Sequence, residues 1–435
     1  MSDALLEDFL TRLEDRTAKI VVVGQGYVGL SIAMRASGLG FRVVGYDTSP
    51  KRVQALRHAS SFVDDIPSDE VRTALEAGYS PSGDPHDLRG FDVAVITVPT
   101  PLREGIPDLS FIETAARDIA QWLERGALVT LESTTYPGTT EELLRPNLEE
   151  TSLQVGEDIF LGYSPERIDP GSTSWTFMNT PKVVSGSDAR SLRAVEAFYG
   201  LLVEKTVPVA STAEAELVKL LENTFRHVNV ALVNELAVFA RELGVDIWSA
   251  IDAATSKPFG FLRFTPGPGV GGHCLPIDPS YLAWRVERRL GHPFRFVELA
   301  NEVNRRMPEY VVSRITSLLN QERKSVRGAR ILLLGLAYKR GTSDWRESPS
   351  MVIADRLLAL GAEVRAHDPH VPDDADLATP LARVACDASE LQAADVVVIL
   401  VDHPDLPYDD VCEHGRLVFD TKGCIRHRRF RGEVL

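Results

Sequence analysis

Short, uniformly apolar runs rich in Val, Ile and Leu recur along the chain, separated by stretches of helical spacing and by loops rich in Gly, Pro, Ser and Thr. Runs of this kind suit strands buried on both faces, as in the parallel sheets of α/β domains. After a helical lead-in over residues 1–17, a first set of strands is predicted at Lys19–Val23, Arg42–Tyr46, 92–98, Leu128–Leu131, from 159, and 181–185, with a helix from about 188. A second set is predicted at 329–335, Glu363–His367, 396–401 and 417–420, with a helix over 348–360. Between them, residues 211–243 form a helical pattern without proline, longer than most globular helices. A shorter helix over 247–254 and a helical region over 280–320 follow. The expected architecture is α/β: two Rossmann-like parallel-sheet domains, 1–208 and 323–435, joined by a long central helix within a helical domain, 209–322.

The first strand runs into Gly24-Gln25-Gly26-Tyr27-Val28-Gly29, a helical stretch follows, and the second strand ends at Asp47. A GxGxxG turn between strand and helix, with an acid about 20 residues on, is the dinucleotide-binding arrangement. Gly24 permits the tight turn, Gly26 lets a pyrophosphate approach the backbone, and Gly29 lets the helix lie on the strand. Tyr27 and Val28 open a helix whose free N–H groups and positive end face the phosphates. Asp47 would bond the ribose hydroxyls and repel a 2′-phosphate, which favours NAD. Lys51 and Arg52 nearby temper this, since a basic residue accommodates the extra phosphate. The loops after the next strands, Pro99-Thr100-Pro101 and 132–140, should line the same crevice, because ligands sit at the carboxyl ends of parallel strands. Thr139 or Thr140 is expected to cap a helix beginning there, and Thr134 is assigned a functional role.

A chain of 435 residues with 44% hydrophobic and 25% charged content has material for two or three domains. No apolar run approaches the roughly 20 residues of a membrane span. The acidic, amphipathic start is unlike a secretion signal, so a cytoplasmic protein is expected. Four dispersed cysteines, Cys274, Cys386, Cys412 and Cys424, argue against a disulfide framework and a metal site. A net charge of −15 argues against nucleic acid or an anionic membrane as partner. The basic stretch over 426–431 reads as a solvated tail.

The most unusual segment is PGPGVGGHCLPIDP, residues 266–279. Its glycines and prolines make a rigid, backbone-exposing loop that presents Cys274 four residues before Asp278. The cysteine is either a nucleophile or a small buried residue in a turn. On the long helix, Lys219 and Asn223 are four apart and share a face, although Glu216 offers the lysine an ordinary partner. Glu166 and Arg167, in YSPERIDPG, could be no more than a surface pair.

Taken together and in order, the GxGYVGL turn, TVPTPL, ESTTYPGTT, YSPERIDPG, ELVKLLENTFRHVN, PGPGVGGHCLPIDPSYL and AYKRGTSDWRESPS resemble the nucleotide-sugar 6-dehydrogenases over residues 18 to 425. The resemblance implies a four-electron oxidation of a sugar C6 alcohol to a carboxylate with two NAD in succession, through a thiohemiacetal and a thioester on Cys274. It implies that Lys219 and Asn223 steady the oxyanion, that Asp278 works with Lys219 on proton transfers, and that Thr134 and Glu166 position the hydrolytic water. Lys339 and Arg346 would meet the nucleotide, residues 259–264 with Phe264 would cover it, and Arg167 and Gly271 would contact substrate. Arg263 would cross to the neighbouring site of a homodimer built on the long helix. SPER and HCLPID resemble the N-acetylhexosamine branch, so UDP-GlcNAc or UDP-ManNAc is expected. UDP-glucose or TDP-glucose is the alternative sugar. A non-catalytic binding module and a two-electron hydroxyacid dehydrogenase are the alternatives of other classes.

Overall fold

The computed structural model describes residues 2–63, 65–103, 105–168, 174–272, 275–377 and 379–435. His273 and Cys274 therefore lie outside the described residues. The chain divides into two compact units, Met1–Glu222 with Trp284–Arg289, and Asn223–Ala283 with Leu290–Leu435.

The first unit holds an eight-stranded sheet. Its strands are β1 (Lys19–Val23), β2 (Arg42–Tyr46), β3 (Tyr79–Ser82), β4 (Val93–Ile96), β5 (Leu128–Leu131), β6 (Phe160–Tyr163), β7 (Lys182–Gly186) and β8 (Thr206–Pro208). The spatial order is β8-β7-β6-β5-β4-β1-β2-β3, and every pairing is parallel except β6 with β7. Ile20, Val22, Val43, Val93 and Leu128 bury one face against helical residues such as Leu30 and Phe198.

The second unit carries a six-stranded parallel sheet in the order β11-β10-β9-β12-β13-β14. Here β9 is Arg330–Leu334, β10 Glu363–His367, β11 Ala382–Arg383, β12 Val396–Ile399, β13 Val418–Asp420 and β14 Gly432–Val434. Alternation divides each strand between two cores. Ile331, Leu333 and Val398 enter one, and Leu332, Leu334 and Val397 the other.

The two sheets repeat one device. Gly24, at φ +93°, donates its N–H to Tyr46 O at 2.8 Å, and Gly335, at φ +97°, donates to His367 O at 2.8 Å. The residue after each glycine donates to the acid ending the next strand: Gln25 N to Asp47 at 2.8 Å, and Leu336 N to Asp368 at 2.6 Å. The second domain thus keeps the turn although it lacks the GxGxxG pattern.

Three expectations are corrected. The helical region over 280–320 is two helices, Asp278–Leu290 and Arg295–Gln321, because Gly291 takes φ +73° and Pro293 cannot continue a helix. The basic stretch is solvent-exposed at 427–429 and 431, as expected, but it is not a free end. It leads into β14, and Arg426, Arg428 and Arg431 pair with Asp252, Asp409 and Glu322. Third, the start of the helical segment Thr140–Leu144 receives no side-chain cap from Thr139, whose hydroxyl donates to Tyr136 O. The long helix is Thr212–Glu242. No helix among the described residues is long and apolar enough to cross a membrane.

A Cβ built on Gly29 would lie 1.9 Å from Gly24 O, whereas one on Gly26 meets nothing within 4 Å. Gly29→Ala should lose roughly 1–3 kcal/mol of stability, and Gly26→Ala less than about 1 kcal/mol. Equal losses in denaturant melts would contradict this packing account.

Candidate active site

In the first unit the glycine turn sits at the carboxyl end of β1, in the middle of the sheet. The helix Tyr27–Gly38 starts at Gly26 without a side-chain cap, and the space beside Gly26 is open. Its first N–H groups and this clearance fit a dinucleotide pyrophosphate. Tyr27 bonds Asp65 through its hydroxyl. Asp47 is buried and accepts from Gln25 N and Ser49 N, each at 2.8 Å, with Arg52 Nη1 at 3.4 Å. A carboxylate oxygen has two lone pairs, so a ribose hydroxyl would join these donors without displacing them. Arg52 is thus turned onto the acid. Thr97, which the sequence reading passed over, donates to Gly24 O at 2.7 Å and braces the turn. Ser133 donates to Val98 O at 2.7 Å, tying the loop that carries Thr100 to the loop that carries Thr134.

Thr134 meets the long helix directly, because Lys219 Nζ donates to its Oγ1 at 2.5 Å. One turn earlier on that helix, Glu216 accepts from Gly138 N at 2.5 Å, Thr140 N at 2.8 Å and Thr140 Oγ1 at 2.7 Å. Its carboxylate supplies the cap expected from a threonine. The lysine's partner is Thr134, not Glu216, as the ordinary pairing would have had it. Burial pushes the Glu216 carboxyl up to about 7, against the pull of its donors from Thr140 and Gly138.

Glu166 and Arg167 do not form a surface pair. Glu166 is buried and accepts from the backbone N–H groups of Arg167 at 2.6 Å and Ile168 at 2.7 Å, and from Lys182 Nζ at 3.1 Å. The Arg167 guanidinium instead holds Glu222 at 2.6 and 3.1 Å. Lys182 also bonds Glu132 at 2.6 Å, and Tyr199 donates to the same glutamate. Glu132, Lys182 and Tyr199 were missed in the sequence, and Glu216 was read only as an ordinary partner for Lys219. For Glu132 and Lys182 the signal was an ionisable residue at the end of a buried strand, as Glu132 follows Leu131 and Lys182 precedes Val183.

In the second unit Asn223 and Asp278 are both buried and hydrogen-bonded through the Asn223 amide nitrogen, while Arg226 donates to the amide oxygen. The amide is therefore oriented, with its nitrogen on the acid that opens the helix Asp278–Leu290. The glycine loop packs against the segment carrying Lys339 and Arg346. A Cβ on Gly271 would come within 2.6 Å of Glu347 O, and one on Gly272, at φ +84°, within 2.7 Å of the Tyr338 ring. Arg346 forks onto Asp344 at 2.9 and 2.8 Å, and the Phe264 ring stands edge-on to Phe225 at 5.8 Å. Arg263 pairs with Asp252 at 2.9 Å and lines an open cleft of about 350 Å³ together with Arg340, Lys422 and Arg426. Those three further cations, also missed in the sequence, make the cleft suited to a diphosphate.

The chain was compared with known proteins. Models of the UDP-glucose/GDP-mannose dehydrogenase family match its NAD binding domain at residues 18–203, its central domain at 213–306 and its UDP binding domain at 332–427. The chain is 36% identical over 392 residues to the UDP-N-acetyl-D-mannosamine dehydrogenase of Pyrococcus horikoshii, covering 89% of this chain and 90% of that protein. It is 37% identical over 356 residues to the UDP-N-acetyl-D-glucosamine 6-dehydrogenase of Pseudomonas aeruginosa, covering 81% and 83%. The solved structure of the UDP-D-ManNAc dehydrogenase from Pyrococcus horikoshii superposes with a TM-score of 0.85 at 33% identity, covering 95% of this chain and 98% of that one.

The Glu216 site has a pH signature. A carboxyl raised from 4.5 to about 7 holds its proton more firmly folded than unfolded. Its contribution to stability is complete below the unfolded value and is lost as pH rises through the folded value. Across that window the wild type should lose roughly 3 kcal/mol more than Glu216→Gln. Parallel stability–pH curves from urea titrations of the two proteins would contradict the assignment.

Proposed function

Because the chain belongs to the UDP-glucose/GDP-mannose dehydrogenase family, we propose that it oxidises the C6 alcohol of a UDP-linked N-acetylhexosamine to the carboxylate. The observation that carries this reading is the contact of Lys219 with Thr134 at the carboxyl end of β5. It sets an ammonium and a hydroxyl on the edge of the sheet where the dinucleotide turn lies. The sugar class rests on the relatives, which are named for UDP-N-acetyl-D-mannosamine and UDP-N-acetyl-D-glucosamine.

Bound NAD would supply the hydride acceptor for each oxidation. The chain supplies the rest. Lys219 stabilises charge on the C6 oxygen as the first hydride leaves, and Thr134 holds the ammonium in position. The Cys274 thiolate then adds to the aldehyde carbon. The resulting thiohemiacetal loses the second hydride, and water cleaves the thioester to release the carboxylate and the thiol. In balance, alcohol, two NAD⁺ and one water give carboxylate, two NADH and three protons. A covalent intermediate keeps the half-oxidised sugar in place while cofactor is exchanged. Asn223 donates to the oxyanion, Asp278 takes part in proton transfer, and Glu166 serves the hydrolytic water. Arg167, Phe264, Gly271, Lys339 and Arg346 are assigned to the nucleotide sugar. Three segments carry the NAD site: Gly24 to Gly29, Asp47 with Arg52, and Thr100.

The long helix exposes Leu217, Leu221, Phe225, Leu232, Leu236 and Phe239 at helical spacing. A second copy of this chain is the proposed cover for that stripe, with Arg263 reaching the neighbour's site. Light scattering should give a dimer mass, and Phe239→Glu should yield monomer. A wild-type monomer at assay concentrations refutes the dimer.

The activity is tested by NADH yield. Two NADH per sugar are expected from UDP-ManNAc or UDP-GlcNAc, and little from UDP-glucose or TDP-glucose. Cys274→Ala should abolish turnover and retain NAD binding. One NADH per sugar, or full turnover by that variant, would overturn the covalent route.

A further inference from the structure

Glu166 belongs to a buried ionic cluster whose other members the chemistry above does not use. Lys182 is 4% exposed, Glu132 1%, Glu166 6% and Tyr199 0%. The Lys182 ammonium lies 2.6 Å from Glu132 and 3.1 Å from Glu166, with the rings of Phe177 and Tyr199 at 5.3 and 5.2 Å. Its partners come from three strand ends: Glu132 follows β5, Glu166 follows β6, and Lys182 opens β7.

Two carboxylates share one ammonium here. Taking three ionisable groups out of water is expensive, and such a cluster rarely stabilises a fold better than packed apolar side chains would. The hydrogen-bond count points to what it secures. Among the described residues, Glu166 Oε1 takes two backbone N–H groups and Oε2 takes Lys182, so of four lone pairs one is left, on Oε2.

We propose that Lys182 is a positioning residue: its hydrogen bond to Oε2 fixes the pose of the Glu166 carboxylate, with one acceptor site left open among the described residues, and Glu132 holds the ammonium in that place. This rests on the reading of Glu166 as the acid that serves the hydrolytic water. Other groups around the cluster are accounted for. Tyr199, from the helix Ala189–Leu202, donates to Glu132 and pairs with Thr130, and Arg167 is turned away onto Glu222. Burial raises the Glu132 carboxyl while Lys182 opposes the shift, and burial with Glu132 beside it holds Tyr199 as a neutral phenol.

The lysine and Glu132 then act on one observable. Removing the ammonium frees the Glu166 carboxylate to turn away from the hydrolytic water, which slows turnover without touching the groups assigned to the sugar nucleotide. Removing Glu132 loosens the ammonium and weakens the same pose.

The experiment records kcat, KM and melting temperature for UDP-N-acetylhexosamine oxidation in wild type, Lys182→Met, Lys182→Arg, Glu132→Gln and Glu166→Gln. Lys182→Met should lower kcat by roughly 10- to 100-fold with KM little changed. Lys182→Arg should recover most of that loss. Glu132→Gln should lower kcat in the same sense, and carries the test alone if Lys182→Met does not fold. A merely structural lysine would lower melting temperature in both variants and leave kcat of the folded protein unchanged, which overturns the inference. A fully active Glu166→Gln overturns the reading of Glu166 and this inference with it. An impaired Glu166→Gln beside unchanged kcat in the Lys182 and Glu132 variants overturns this inference alone.

Discussion

Loops at the carboxyl ends of parallel strands have backbone N–H groups that no ladder satisfies, and burying them without partners is costly. In this protein carboxylates meet that demand repeatedly. Asp47 takes the N–H groups of Gln25 and Ser49, Glu166 those of Arg167 and Ile168, and Glu216 those of Gly138 and Thr140. Asp368 takes Leu336, Ala337, His370 and Val371, and Asp420 takes Lys422 and Ile425. Each acid fixes a loop by its backbone, which leaves side chains such as Thr134 to make contacts of their own, here with Lys219.

The environment of each acid decides its charge. Burial opposes ionisation of Asp368, yet the His403 ring and the Ala337 and Leu336 N–H groups outweigh it and hold the carboxyl well below the usual range. Gly341 N donates to His403 Nδ1, so the ring also anchors the loop between Lys339 and Arg346. Glu216 has three donors and no cation bonded to it, and burial wins. Similar loop clamps therefore differ in charge according to how many donors complete them: Asp368 takes four backbone N–H groups and the His403 ring, whereas Glu216 takes two backbone N–H groups and one hydroxyl.

The parts of the fold legible in the sequence were those buried on both faces. Central strands such as Lys19–Val23 and Val396–Ile399 read correctly from apolar runs. In the two large sheets the strands that escaped notice, Tyr79–Ser82, Thr206–Pro208, Ala382–Arg383 and Gly432–Val434, are the four edges, and the two-residue strands Leu102–Arg103 and Ile106–Pro107 of a separate hairpin escaped as well. Edge strands are short and carry proline or charge, so periodicity has little to register. The glycine turn was legible because a backbone requirement leaves its residue types in place. The partners of Glu166 and Lys219 were not. Lys182 is 50 residues from Glu132, and Thr134 is 85 from Lys219, so only the folded sheet brings them together.

The contact of Gly271 and Gly272 with Tyr338 and Glu347 has an evolutionary consequence. The two segments, far apart in the chain, form one moulded surface in which each fills the space the other leaves. A side chain larger than hydrogen at Gly272 would require the ring at Tyr338 to shrink or move. Divergence toward new ligands on this scaffold must therefore proceed through matched pairs of substitutions, and a library that varies one segment alone will return mostly inert proteins.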